Sequence, residues 1–276
     1  MTLDFGPVGV ALYVSSDDTY LAEAAELEKL GYSAVWLPGG ELDTLDRLEN
    51  LVSATTTVPI TPAIIPPDVY DADTVAATYT RLERNSPGRF MVGLGAPQHP
   101  QPLGALHTYL DRLDTANPPV PADRRILAAI GPRMLELARD RCAGAVPLLV
   151  TPGYTAWARE ILGEGPTLIV YQLAVGDTDP HQARQTARDT ALRPLLGGGG
   201  YTNAMRRMGF SDGDITELSD HLVDGLVSWG DETAIATRVE AHLTAGADHV
   251  LLGFLRDGDQ PGPIDMARRL ADRLVP

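Results

Sequence analysis

Side chains able to do chemistry are scarce at the ends of the short apolar runs in this sequence. Glu41 follows Pro38-Gly39-Gly40, His99 follows Gly95-Ala96-Pro97, Asp177 follows Val175-Gly176, and Arg256 follows Phe254-Leu255. The remaining run ends are Tyr13-Val14-Ser15, Ile64-Ile65-Pro66, Ile130-Gly131 and Thr151-Pro152-Gly153. Glycine lets a flat ligand lie against the main chain. A mouth that is mostly apolar and glycine-lined suits a planar redox cofactor better than acid–base chemistry on a polar metabolite. The six histidines (His99, His107, His181, His221, His242 and His249) show no HExxH or HxH spacing, and Cys142 is the one cysteine. Neither a metal site nor an internal disulfide is expected. Lys29 is the only lysine and lies at the end of a helical stretch, which disfavours an aldolase.

One turn carries a more specific suggestion. In Arg124–Val150 an apolar run, Arg125–Ile130, meets Gly131-Pro132, and Met134, Leu135, Leu137 and Ala138 then recur at helical spacing. A second apolar run, Ala145–Val150, follows Gly144. That is a βαβ unit with parallel strands. Gly131 permits close approach of a ligand, and Pro132 suits a first helical position. The N–H groups of Arg133 and Met134 are expected to face an incoming anion with the helix dipole behind them. Arg133 adds a formal charge. A plain chain reversal at Gly-Pro is the competing interpretation.

The elements that must position these residues alternate along the whole chain. Apolar runs at Val8–Val14, Ala34–Leu37, Val58–Ile65, Phe90–Leu94, Arg125–Ile130, Ala145–Val150, Thr167–Val175 and His249–Leu255 read as eight strands. Helical stretches separate them, among them Thr19–Leu30 closed by Gly31, Leu42–Ser53, Thr155–Leu162 and Asp231–Ala245. Pro59, Pro62, Pro66 and Pro67 make the third strand irregular where it ends. From Asp179 to Val227 the pattern is mainly helical, and the Gly197–Gly200 run within it is a loop without a dinucleotide fingerprint. Near-continuous apolar strands are buried on both faces. The economical solution is a (β/α)8 TIM barrel over residues 1–276, with an inserted helical segment between strands seven and eight; an open doubly wound sheet is the alternative.

The formal charge of −15 argues against a nucleic-acid partner. No stretch approaches the ~20 apolar residues of a membrane span, and the N-terminus has no basic region before an apolar core. A cytoplasmic protein is expected, as are a small-molecule substrate and a homodimer.

The stretches EAAELEKLGYSAVWLPGG, SPGRFMVGLGAPQHP, RILAAIGPRMLELARDRCAGAVPLLVTPGYTAWAREILG and WGDETAIATRVEAHLTAGADHVLL resemble the luciferase-like monooxygenase superfamily. More narrowly, they resemble its branch that uses the deazaflavin coenzyme F420 instead of FMN. The resemblance implies an oxidoreductase with the ring across the strand ends. It implies a non-proline cis peptide at Ala63-Ile64, and ring contacts from Gly39, Gly40, Ile65, Leu94, Gly95 and His99. Ile130, Gly131, Arg133 and Met134 would hold the phosphate-bearing tail. Sugar-phosphate dehydrogenases of the branch carry a histidine and a glutamate where this chain has Gly40 and Ala96, and a lysine where it has Tyr154; the neighbouring threonine is present as Thr151. A sugar phosphate is therefore not the expected substrate, although Thr151 and Tyr154 remain candidates for substrate contact. His99, Glu41 and Tyr13 are then the nearby groups able to move a proton. The expectation is hydride transfer between F420 and an alcohol, carbonyl or activated alkene. An FMN-dependent monooxygenase and a cofactor-binding homologue without activity are the alternatives.

Overall fold

The computed structural model describes residues 5–39, 42–96, 101–196 and 200–275. Its strands are β1 (Val8–Ala11), β2 (Val35–Pro38), β3 (Ile60–Ala63), β4 (Val92–Leu94), β5 (Arg125–Leu127), β6 (Gly144–Ala145), β7 (Thr167–Val175), β8 (Val227–Trp229) and β9 (His249–Leu255). Between the first seven lie α1 (Thr19–Leu30), α2 (Asp46–Ala54), α3 (Ala72–Asn85), α4 (Pro102–Thr115), α5 (Pro132–Arg141) and α6 (Pro152–Leu162). Pairing runs β3-β2-β1-β9-β7-β6-β5-β4. Bridges from Ile60 to Phe90 and from Ile65 to Leu94 bring the two end strands together. Eight parallel strands thus form the nearly closed (β/α)8 barrel that the sequence pattern suggests.

Side-chain alternation along β7 explains the layering. Ile169, Tyr171 and Leu173 point into the cluster that fills the barrel, whereas Leu168, Val170 and Ala174 join the layer beneath the helices. At the N-terminal end the interior is filled by Phe5, Trp36 and His249, whose rings lie 5.4 to 5.7 Å apart. Trp36 Nε1 donates to His249 Nε2 at 3.1 Å. His249 Nδ1 lies 2.8 Å from the Gly6 carbonyl, so it is the protonated nitrogen.

Two devices fix the start of β3. Glu28 accepts N–H bonds from Thr57, Thr56 (2.8 Å) and Val58 (2.9 Å). Burial opposes its charge, but these donors outweigh burial and hold the carboxyl at about 2. Arg89 donates to the carbonyls of Val52, Thr55 and Val58 at 3.0 to 3.1 Å.

The structure departs from the sequence pattern in three places. Instead of a run over Ala145–Val150, β6 is two residues long, because Pro147 lacks a donor and Leu149 takes φ of 58°. α2 begins at Asp46, later than Leu42. Between β7 and the last barrel strand, α7 (Pro180–Ala187), a π-helical turn (Arg188–Leu192), α8 (Arg193–Leu196), α9 (Thr202–Arg207), α10 (Asp212–Glu217) and α11 (Asp220–Leu226) lead into β8. β9 pairs with β7 from residue 169 to 175, so β8 takes the opposite edge of β7, above β6. α12 (Glu232–Thr244), capped by Asp231, and α13 (Pro263–Leu274) complete the chain.

Candidate functional site

At the C-terminal end of the barrel the interior includes the small side chains of Ala63 and Ala128, and the end of β3 is held by close backbone approach. The Ala63–Ile64 peptide is cis, at the position the resemblance implies. A Cβ on Gly39 would lie 2.0 Å from the Ile64 carbonyl oxygen, and one on Gly95 would lie 2.7 Å from Ile64 Cδ1. A Cβ on Gly93 would sit 1.9 Å from the Pro62 carbonyl oxygen. Three glycines therefore let neighbouring strands close on Pro62–Ile64, a packing reason for glycine that sequence alone does not reveal.

This arrangement leaves a cavity of about 160 Å³ lined by Ala63, Ile64, Ala128, Ile130, Tyr171 and Tyr201, among others. Its walls are mainly apolar. Ile65 and Leu94, both expected near the ring, turn their side chains into the outer layer under the helices. The N–H of Ile65 is donated to Gly93 O and the carbonyl of Leu94 accepts from Ala128 N, each at 2.7 Å. What Ile65 and Leu94 offer the cavity is therefore the position of their main chain.

Ile130 is shared with a second cleft of about 390 Å³, lined also by Gly131, Arg133, Met134, Asn203 and Arg207. It lies over the first turn of α5, where Pro132 occupies the opening position. Gly131 has an ordinary extended backbone, φ −100° and ψ 157°. A Cβ there would meet nothing within 4 Å, so the space in front of it is open. The N–H of Met134, expected to be free, is instead donated to Gly131 O at 3.1 Å. The exposed Arg133 keeps its N–H unpaired among the described residues.

Thr151 caps α6 by accepting from Tyr154 N at 3.2 Å. The hydroxyl of Tyr154 donates to the Ile130 carbonyl at 2.7 Å, and burial pushes its phenol up, well above the usual range. Tyr154 thus ties the head of α6 to the end of β5, and its hydroxyl is committed there. Arg207, stacked 5.0 Å from the Trp157 ring, lines both the Gly131 cleft and a neighbouring one at Thr151, Gly153 and Tyr154. Tyr13 is half-buried just beyond β1 and has a partner. Gly40, Glu41 and His99 lie outside the described residues.

Sequence reasoning missed Tyr201, Asn203 and Arg207. They come from the inserted segment, next to the Gly197–Gly200 run, and only the three-dimensional path of α9 brings them over the strand ends. Among the described residues no cluster of His, Cys, Asp or Glu could hold a metal ion. No described helix is long and apolar enough to cross a membrane.

Comparison with known proteins shows which chains share this fold. Residues 10–114 match the family model described as luciferase-like monooxygenase. Among solved structures, an F420-dependent secondary alcohol dehydrogenase in complex with an F420–acetone adduct superposes with a TM-score of 0.72 at 16% identity, over 97% of each chain. A coenzyme F420-dependent tetrahydromethanopterin reductase from Methanopyrus kandleri gives 0.68 at 16%, over 98% of each chain. The oxygenating constituent of 3,6-diketocamphane monooxygenase from Pseudomonas putida, in complex with FMN, gives 0.69 at 11%, over 98% of each chain. Among curated protein sequences, none matches this chain.

Proposed function

We propose that this luciferase-like barrel is an oxidoreductase that uses coenzyme F420, passing hydride between the deazaflavin ring and a small alcohol, carbonyl or activated alkene. The observation that carries the reading is the adjacency at Ile130. There a mainly apolar cavity backed by Ala63-Ile64 lies next to a cleft over the first turn of α5 beside Arg133 and Arg207. A flat ring and an anionic tail call for those two environments side by side. The residues present fit such a group: small side chains and glycines leave room against the backbone, and the open space at Gly131 lies where an anion gains from the helix end.

In this reading Ala63, Ile64, Gly39 and Gly95 back the ring, with Gly40, Ile65, Leu94 and His99 around its edge. Ile130, Gly131, Arg133 and Met134 hold the tail. Thr151 and the ring of Tyr154 border the substrate. His99, Glu41 and Tyr13 are the proton carriers we assign. Bound cofactor supplies a carbon that gives or accepts a hydride; the protein binds, orients and excludes water, so that the reacting carbons are held at ~3–3.5 Å.

The two F420 enzymes of the same fold support this reading, and the FMN complex supports a second one, a flavin-dependent monooxygenase. Titration with both cofactors decides between them. F420 is expected to bind at micromolar concentration or below, and FMN at least ~10-fold more weakly, a gap of ~1.4 kcal/mol. Turnover is then measured with a panel of ketones, secondary alcohols and enones. Equal affinity, or FMN copurifying from the native host, moves the assignment to the monooxygenase.

A further inference from the structure

We propose that Tyr201, contributed by the inserted segment, donates the hydrogen bond that holds the oxygen of the substrate's carbonyl in the strand-end cavity. The inference rests on the oxidoreductase reading above. Among the described residues lining that cavity, only Tyr171 and Tyr201 carry a side-chain proton on oxygen or nitrogen; the others are alanine, isoleucine, valine, leucine and proline. Tyr171 is nearly wholly buried within the barrel and already has a partner. Tyr201 packs its ring against the interior cluster from above. Its hydroxyl forms no hydrogen bond among the described residues, and burial is the one influence on its phenol, which it pushes up. The group therefore stays protonated and acts as a donor.

The other side chains lining the cavity offer that hydroxyl little to pair with, which leaves it for a bound molecule. A carbonyl oxygen placed beside it satisfies that donor, and the other hydroxyl lining the cavity, that of Tyr171, already has a partner. The same hydroxyl accepts from the O–H of an alcohol when the reaction runs the other way.

The test is Tyr201→Phe in the full chain, with cyclohexanone as the probe. Cofactor affinity is measured first and is expected to stay within about twofold of wild type, since the ring packing is kept. Cyclohexanone binding is followed by ligand-observed NMR on protein carrying the oxidised cofactor, which has no hydride to give. Its dissociation constant is expected to rise about tenfold in the variant, with a comparable loss in kcat/KM for its reduction. Equal cyclohexanone affinity in the two proteins overturns the assignment and leaves Tyr201 a packing residue, as does the absence of a cyclohexanone signal with wild type. If neither F420 nor FMN binds wild type, the oxidoreductase reading fails by itself. Cyclohexanone binding to the cofactor-free proteins then still decides the role of Tyr201.

Discussion

The two ends of the barrel are built on opposite plans. At the N-terminal end Phe5, Trp36 and His249 fill the interior, and the polar atoms of Trp36 and His249 are paired with each other or with Gly6. At the C-terminal end the cavity is lined by Ala63, Ala128 and Ala129 among larger side chains, glycines replace side chains along the edges, and the hydroxyl of Tyr201 at the rim is unpaired among the described residues. One end has large rings whose nitrogens are satisfied. The other has alanines and glycines that leave space and, among the described residues, a hydroxyl without a partner. In barrels of this type stability is set at the first end and function at the second.

The largest effect is expected where function depends on the close approach of strands. Gly39→Val sets a Cβ against the Ile64 carbonyl at 2.0 Å, with backbone on both sides. Neither side can give cheaply, so a loss of ~3 kcal/mol or more is expected, with cofactor binding abolished in whatever folds. Urea unfolding and a cofactor titration read the two effects. Wild-type stability in this variant would mean that β2 and β3 are not held as described.

The next effect belongs to the filled end and sharpens the contrast through pH. Burial lowers the pKa of His249 to about 4 and that of His242 to about 3, the latter with help from the Arg238 charge. In the unfolded chain both titrate near ~6.5. Between ~6.5 and about 4 the unfolded state binds the extra protons, so stability is fully present above the upper value and is lost as pH falls. The urea midpoint should therefore drop across that window. In His249→Gln, which keeps an acceptor for Trp36, the drop should be shallower although the neutral-pH stability is lower. An identical acid slope in the variant would mean that His249 is not held neutral in the folded state.

How much of this was legible in the sequence follows the same division. The β7 pattern and the Gly31 helix stop are short-range signals, and both carry through to the structure. The luciferase-like resemblance located the cis peptide at Ala63-Ile64. β8 was not legible, because Val227-Ser228-Trp229 is too short for any periodicity and pairs only where β6 leaves an edge of β7 open. The outward turn of Ile65 and Leu94 depends on strand register. Tyr201 and Arg207 reach the cavity and the cleft through a long-range return of the chain, and nothing in the Gly197–Gly200 run announces it.

Gly131→Val tests the open end without touching its packing. A Cβ there meets no protein atom and the backbone is extended, so the variant should fold with wild-type stability. If the tail of the cofactor occupies that space, affinity falls by ~10-fold or more, about 1.4 kcal/mol. Circular dichroism provides the folding control. Normal folding together with unchanged affinity would place the tail elsewhere.

The smallest effect is expected from Arg133→Ala, and it separates the helix end from the side chain beside it. Arg133 is exposed, and an exposed charge contributes ~0.3–1 kcal/mol to an anion at a helix terminus. Affinity should fall only by ~2- to 5-fold at low ionic strength. That difference should shrink as salt is raised, since at ~0.15 M the Debye length is ~8 Å. The main-chain contribution at Gly131 is fixed in place and less screened, so Gly131→Val should lose affinity to a similar extent at both salt concentrations. Titrations of the two variants at about 20 mM and about 500 mM salt, between which the Debye length falls about fivefold, measure the contrast directly. A loss for Arg133→Ala that matches Gly131→Val and persists at high salt would assign the anion to the guanidinium and leave the helix end a minor contributor.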